Sequence, residues 1–418
     1  VTNTEPEVAA VTASSRRCDV VVVGAGPAGT AAAITLARAG KDVVVVDKAR
    51  FPRDKCCGDG LTTLALRQLE RIGFDPSTVP GWYDVDEAWL RSPSGREVCV
   101  PLPTGMGRFA AITPRIELDD ALVARAREAG ATVIEGHAFC GIAGSGDEVE
   151  VMFDGLGTIT ADYVIAADGM WSPVRKALGF AEPGYLGEWH AFRQYASNVT
   201  GPASQRLYVW FEEDLLPGYA WSFPLPGNRA NIGFGVLRDG TRTGREMKDL
   251  WPALLQRPHI VEALGAGAEM EGRHTAWPIP ARVDDTTLAA GRVLFVGDAA
   301  RATDTMTGEG IGQALLTGVE AADAVLIGGR SATDVRRRYE KAVHHHLVAD
   351  HKMSVVLSKV LARPRGARGA IRVLDHAGDW GRRSFARWMF EDEPRAVVLT
   401  PSRWHRAFLA QRGAYDTP

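Results

Sequence analysis

Residues 16–49, RRCDVVVVGAGPAGTAAAITLARAGKDVVVVDKA, restrict the possible folds more than any other stretch of the chain. A short apolar run enters Gly24-Ala25-Gly26-Pro27-Ala28-Gly29, an alanine-rich segment follows, and a second apolar run ends on Asp47. Strand, glycine turn, helix and parallel strand in that order make a βαβ unit. Gly24 allows the tight turn, Gly26 lets the backbone approach a pyrophosphate at the helix N-terminus, and Gly29 lets helix and strand pack closely. Asp47 stands roughly twenty residues on, where a ribose hydroxyl needs an acceptor. Pro27, Ala28 and Lys48 fall within the same contact. The unit predicts dinucleotide binding.

Two later segments repeat the pattern of a strand ending on an acid. ADYVIAADGMWSPVRKALG is an apolar strand ending in Asp168-Gly169. GRVLFVGDAARATDTMTGEGIGQALLTGVEAADAVL is a strand ending in Gly297-Asp298, then a loop, then a helix. Taken singly, Asp298 reads equally as a helix cap, and Arg115, in TPRIELDDAL, as a solvated helix start. The order of the motifs along the chain resembles the glutathione-reductase-type FAD fold. That resemblance implies contact of Gly297-Asp298 with the ribityl and pyrophosphate part of FAD, and places Arg115 near its diphosphate or ribose. It also directs the free amides of Gly308, Gly310 and Ile311, at the start of GEGIGQAL, toward the N1/O2 edge of the flavin.

Three further stretches, FPRDKCCGDGLTTLALRQL, LPGYAWSFPLPGNRANIGFGV and GDAARATDTMTGEGIGQAL, resemble the geranylgeranyl reductase family, flavoproteins that saturate C=C bonds in isoprenoid chains. The resemblance covers most of residues 18 to 330. It implies that Cys57-Gly58 lies near the flavin, with Cys56 where proline is frequent. The family's PxxYxWxFP signature is complete as Pro217, Tyr219, Trp221, Phe223 and Pro224, and Arg193-Gln194-Tyr195 matches a strand of the substrate domain. Tyr219, Trp221, Phe223, Arg193 and Tyr195 are thereby expected at the substrate, and Cys57, Tyr219, Trp221 and Glu309 at the chemistry. One departure is Thr305, where members often carry proline. Independently, a period of two puts Tyr219, Trp221 and Phe223 on one face of a strand, which suits either a flat apolar cavity or an ordinary core stripe.

Reducing an isolated alkene takes a hydride and a proton. With no carbonyl to absorb charge, positive charge develops on the more substituted carbon. Aromatic faces stabilise it by about 0.5–2 kcal/mol per contact, and a dry pocket keeps water from trapping it. Cys57, Asp59, Tyr219 and Glu309 are the ionisable candidates for proton donor. Only one strand–GxGxxG–helix unit exists, because GIAGSGDE lacks a following helix. Electrons are expected from NAD(P)H bound transiently, or from a reduced electron-carrier protein.

The predicted fold class is α/β, or α+β overall: a Rossmann-type FAD-binding domain, an inserted mixed β-sheet substrate domain and a helical C-terminal region. The FAD-binding domain is expected from residues 16–60, 110–175 and 275–330, the substrate domain from 61–109 and 176–274, and the helical region from 331–418, after a disordered leader at 1–15. A net charge of −3 over 418 residues gives no reason to expect nucleic acid as a partner. Five cysteines without paired spacing predict neither a disulfide framework nor a metal site. His344-His345-His346 diverge on a helix and cannot converge on one ion. No stretch approaches the 18 or more apolar residues of a membrane span, so the expected location is cytoplasmic. Trp380, Trp388 and Trp404 among arginines could hold the tail against the membrane's inner surface, where isoprenoid lipid substrates reside, or pack it on the protein itself.

The same flavin fold also serves monooxygenases that act on aromatic or specialised metabolites, the alternative function. A flavin halogenase would show Trp-x-Trp-x-Ile-Pro and an early catalytic lysine, but YAWSFP differs and no lysine occurs between Lys55 and Lys176. A non-catalytic prenyl escort would carry a degenerate cofactor site, and the motifs here are intact.

Overall fold

A computed structural model describes residues 16–238, 244–397, 400–401, 404 and 410–416. The expected leader at 1–15 lies outside them. The strand Arg16–Val23 pairs in parallel with Gly157–Ala166 on one side and Val43–Asp47 on the other. Val293–Phe295 and Thr132–Glu135 extend the parallel run at its two ends. Strands covered on both faces must be apolar along their length, and Val20 to Val22 and Val43 to Val46 are at most 1% exposed. The segment GIAGSGDE lies in an antiparallel hairpin, Phe139–Ser145 with Glu148–Phe153, attached to Gly157–Ala166.

On one face of this sheet the helix Pro27–Arg38 packs against Ile311–Gly328 with the backbones almost touching. A Cβ on Gly318 would lie 2.1 Å from the Ala28 carbonyl oxygen. Among the described helices, Ile311–Gly328 alone is long and apolar enough to cross a membrane, which corrects the expectation that no stretch reaches that length. It is 72% buried inside the protein, and that burial accounts for its composition.

A second sheet of seven strands runs Glu269–Ile279, Trp189–Ser197, Arg229–Leu237, Tyr219–Leu225, Leu207–Trp210, Glu87–Arg91, Glu97–Pro101. All neighbours are antiparallel except Leu207–Trp210 with Glu87–Arg91. Alternation along Tyr219–Leu225 separates two environments. Ala220 joins a core with Phe234, Trp251 and Leu254, while Tyr219, Trp221 and Phe223 face the opposite way.

The C-terminal region continues from Ala332–Val343 through a π-helical turn, His344–Val348, into Ala349–Leu361. Pro364–His376 and Gly378–Met389 then fold back against Glu97–Pro101. Trp380 and Trp404 are 76% and 63% exposed, whereas Trp388 faces an internal cavity. The tail tryptophans therefore divide between surface and interior.

Gly318→Leu is predicted to push the two central helices apart, at about 1–3 kcal/mol or more. A lower thermal midpoint in a melt of the variant checks this.

Candidate functional site

A cavity of about 1000 Å³ runs from the glycine turn to the C-terminal helices. Gly24, Gly26, Pro27, Ala28, Asp47 and the exposed Lys48 line one end. Gly24 has φ +104°, and a Cβ there would lie 2.4 Å from the Ala167 carbonyl oxygen. Gly29 stands behind the wall, where a Cβ would lie 1.9 Å from Gly24 O, so its role is packing. Gly26 differs from both: a Cβ there would meet nothing nearer than Arg53 Nη2 at 3.7 Å. The protein itself leaves Gly26 room for a side chain, and the cradle in front of it fits a pyrophosphate. Asp47 Oδ2 accepts from Ala25 N at 2.7 Å, which fixes the carboxylate at the turn.

Asp168, Gly169, Gly297 and Asp298 line the same end, as does Arg115. Both oxygens of Asp168 are already used, accepting from Ser172 Oγ at 2.7 Å and Val174 N at 2.9 Å to start a short helix. Burial raises its carboxyl to about 6. Arg115 forms a buried fork with Asp119, at 2.8 and 2.7 Å, so it is not a solvated helix start. Lys55 Nζ lies 3.6 Å from Asp298 and over the Trp277 ring.

The segment DKCCGDG crosses between this cradle and the aromatic strand. Asp59 is fully buried at φ +65°. Its Oδ2 accepts from Tyr195 OH and Asn231 Nδ2, each at 2.7 Å, and its Oδ1 from Arg115 N at 3.2 Å. Asn231 Nδ2 also donates to Cys57 O at 2.9 Å, and Asn231 Oδ1 accepts from Trp221 Nε1 at 3.1 Å. Arg193 donates to Cys57 O, Lys55 O and the Asp54 carboxylate. Burial raises Asp59 to about 6, with the Tyr195, Arg193 and Asn231 contacts pulling the other way. Tyr195 was expected at the substrate; it lies outside the cavity wall because its hydroxyl is committed to Asp59. Arg193 reaches the wall but serves as an anchor for the segment. Cys56 and Cys57 are both free thiols, and burial pushes Cys57 up to about 12.

Tyr219, Trp221 and Phe223 form a contiguous stripe with ring centroids 6.1 Å apart. Gly58 and Gly60 press against it, where a Cβ would lie 3.4 and 3.2 Å from Phe223. The Tyr219 hydroxyl donates to the Thr307 carbonyl and so ties the stripe to TGEGI. Thr305, at the position where proline was expected, is buried and meets the Trp189 indole at 3.4 Å.

Gly308, Glu309, Gly310 and Ile311 all line the cavity, but their amides are not all free as expected. Gly308 N donates to Asp304 O at 3.0 Å. Glu309 Oε1 accepts from Ile311 N and Gly312 N, each at 3.0 Å, because a carboxylate two residues before the helix reaches its orphan donors. Burial, reinforced by the charge of Glu391, raises Glu309 to about 8.

The far end of the cavity was missed in the sequence. Leu357, Val360 and Leu361 wall it from one helix, Ala367, Ile371 and Leu374 from the next, and Phe385, Trp388 and Met389 from the last. Leu90, Leu207, Val209 and Phe211 face them. Helical spacing in residues 367–374 and 385–389 was a usable signal for an inward face. What that face covers was not legible.

Two outcomes follow. Asn231→Leu strips partners from Asp59, Cys57 O and the Trp221 indole, and is predicted to cost about 1–3 kcal/mol per unmet group in a urea melt. For Glu309 the folded state holds its proton more tightly than the unfolded chain. Its contribution is therefore full below an ordinary value of 4.5 and is lost as pH rises through about 8. Glu309→Gln is predicted to melt above wild type at about pH 9 and with it below about pH 4.5.

The chain is similar over most of its length to known proteins. An FAD binding domain family matches residues 17–326. A menaquinone reductase from Mycolicibacterium smegmatis is 33% identical over 84% of this chain and 86% of its own length. Digeranylgeranylglycerophospholipid reductase 2 from Methanopyrus kandleri is 31% identical over 82% of this chain and 86% of its own. A geranylgeranyl bacteriochlorophyll reductase-like structure from Thermoplasma acidophilum shares the fold, with a TM-score of 0.77 at 21% identity, covering 94% of this chain and 100% of that one. The chain belongs to the geranylgeranyl reductase family of FAD-dependent oxidoreductases.

Proposed function

We propose that this protein saturates C=C bonds in the isoprenoid chain of a membrane lipid, with a prenylated quinone as the first substrate class to test. One observation carries it: the cavity joins the FAD cradle, past the aromatic stripe, to an arm whose wall is uncharged. Every charged residue on the wall belongs to the cradle, to residues 53–59 or 193, or to TGEGI. The part built from residues 357–390 and from Leu90, Leu207, Val209 and Phe211 carries none. Such an arm accepts a hydrocarbon chain and would penalise a buried charge heavily. The relatives named for menaquinone and for a digeranylgeranyl lipid support the same class. On this division, residues 16–60, 110–175 and 275–330 hold the cofactor, 61–109 and 176–274 the substrate, and 331–418 close the arm.

FAD, when bound and reduced, supplies the hydride. Gly26, Asp47, Arg115, Asp298 and Gly310, which line the cavity, would hold it. Trp221 and Tyr219 line the cavity, where their rings would stabilise developing positive charge, and the C-terminal helices would exclude water from it. Of the four proton donors considered, Glu309 fits best. It faces the cavity and is protonated at neutral pH. Cys57 is too weak an acid, Asp59 is committed to three donors, and burial keeps the Tyr219 hydroxyl protonated on the Thr307 carbonyl. Electrons reach the cofactor from NAD(P)H or a reduced carrier protein.

Val360 and Ala370 line the cavity and are also exposed, so the arm opens there. Val356, one turn away, and the exposed Arg363 and Arg365 surround the opening. Apolar and basic groups around such a mouth suit an anionic bilayer surface from which the chain enters.

The purified protein is expected to be yellow, bleached by dithionite, and reoxidised without oxygen by a polyprenyl quinone whose ring is already reduced. The fully saturated analogue should not reoxidise it. Trp221→Ala should keep FAD and lose turnover by tenfold or more; normal turnover in this variant contradicts the assignment.

A further inference from the structure

Behind the start of the Ile311–Gly328 helix lies a second cavity of about 420 Å³ that the reaction above does not use. Arg71 and His346 form its outer part, with side chains 46% and 42% exposed. Its inner part is Thr303, Asp304, Gln313, Glu391 and Arg395, of which Thr303, Asp304, Gln313 and Arg395 are at most 6% exposed. Thr303 lines the catalytic cavity too, and a Cβ on Gly310 would lie 3.1 Å from its Oγ1. The Asp304 amide donates to Glu309 O at 2.8 Å. Thr307 Oγ1 donates to Asp304 Oδ1, also at 2.8 Å. Glu391 accepts from Gln313 Nε2 and Thr62 Oγ1, each at 2.9 Å, and pairs with Arg395 at 3.2 Å.

Several polar atoms of these walls have no partner among the described residues: Gln313 Oε1, His351 Nδ1, and Arg395 Nε and Nη2. Buried polar atoms are met by protein or by ordered water. A polar cavity with several such atoms and room for more than one molecule holds water. The catalytic cavity has the opposite chemistry, since its substrate arm is apolar and excludes water once a chain fills it.

That contrast matters for the proton. Each double bond saturated consumes one, and Glu309 cannot regain it through a hydrocarbon-filled arm. We propose that the second cavity is the hydrated route by which Glu309 is reprotonated, entering between Arg71 and His346 and ending at Thr303, Asp304 and Glu391. The proposal rests on the prenyl-reductase function. As the Glu309 O–H bond breaks, one new C–H bond forms on the chain, and the hydride completes the second. The Glu309 carboxylate then takes a proton from cavity water, which is restored by a proton from bulk solvent. One proton enters per double bond, and the electron pair comes only from the hydride.

The groups facing Glu309 are Glu391, Asp304, Tyr219, Cys57 and the amides of Ile311 and Gly312. Burial raises Glu391 to about 7 against the pull of Arg395, so it can hold or release a proton near neutrality. Burial also pushes Asp304 up, but the Arg395 guanidinium holds it below the usual carboxylate range, so it stays a fixed acceptor. Thr303 and Glu391 are relay residues: Thr303 stands on the wall shared by the two cavities, and Glu391 lines only the second.

Infrared spectroscopy tests this without turnover, with the apolar arm filled by a saturated hydrocarbon chain that cannot react, so its outcome is separable from that of the prenyl-reductase function. The carboxylic C=O band of Glu309 is identified in the FAD-loaded protein by its loss in Glu309→Gln. After mixing with D2O, the rate at which this band shifts reports proton access. Thr303→Val and Glu391→Gln are expected to stay yellow and to slow the shift at least tenfold, while Ala370→Trp at the mouth of the apolar arm leaves it unchanged. If either relay variant is colourless, Arg71→Trp at the outer end is expected to give the same slowing. Exchange at the wild-type rate in all folded variants of the second cavity, or slowing by Ala370→Trp instead, overturns the proposal.

Discussion

The buried carboxylate of Asp59 is the interaction on which the site depends. A charge-bearing group removed from water is costly unless hydrogen-bonded, and a residue other than glycine at positive φ needs its surroundings to hold it there. Asp59 meets both demands by accepting from three elements: the helix that starts at Arg115, the strand carrying Tyr195 and the strand carrying Asn231. It thereby pins a short glycine-rich segment between the helix that starts at Arg115 and the second sheet. Asn231 extends the constraint to the Trp221 indole, so the segment and the aromatic stripe are set relative to one another by the same few bonds. The pair Cys56-Cys57 sits inside this clamp as two free thiols.

The helix Ile311–Gly328 organises the rest by dividing two kinds of interior. On one side its N-terminal loop faces the cofactor cradle and an arm built from the last three helices. On the other it borders a polar cavity rich in Asp, Glu and Arg. Thr303 lines both, Glu309 lines the first, and Asp304 and Gln313 line the second. Glu309 caps the helix with its carboxylate while it faces the catalytic cavity, and its proton is held by burial next to Glu391. A dry site that needs a proton in every cycle favours such a boundary.

The features legible in the sequence were those with local causes. Gly24 and Gly29 are required by contacts within their own βαβ unit and with Ala167, and the aromatic stripe follows from strand period alone. The amides of Gly308 and Ile311 were misjudged because the first donates to the Asp304 carbonyl and the second to the Glu309 carboxylate, a choice of turn and rotamer that no spacing rule reveals. Asp168 was read for the cofactor, while its oxygens also start the next helix. The bond between Asp59 and Asn231 spans 172 residues and leaves no local trace. The inward faces of the C-terminal helices were readable as apolar stripes, but their partner, the far end of the cavity, exists only in the assembled fold.

The most direct test of the account is the mass of the product. Dithionite-reduced, FAD-loaded protein is incubated without oxygen with menaquinol, its ring already reduced and its chain fully unsaturated, and the extracted quinone is fragmented in a mass spectrometer. The account predicts a gain of two hydrogens located in the isoprenoid chain and an unaltered ring skeleton. A chain recovered unchanged while the reduced flavin is consumed, or a product that has gained oxygen once air is admitted, would contradict it.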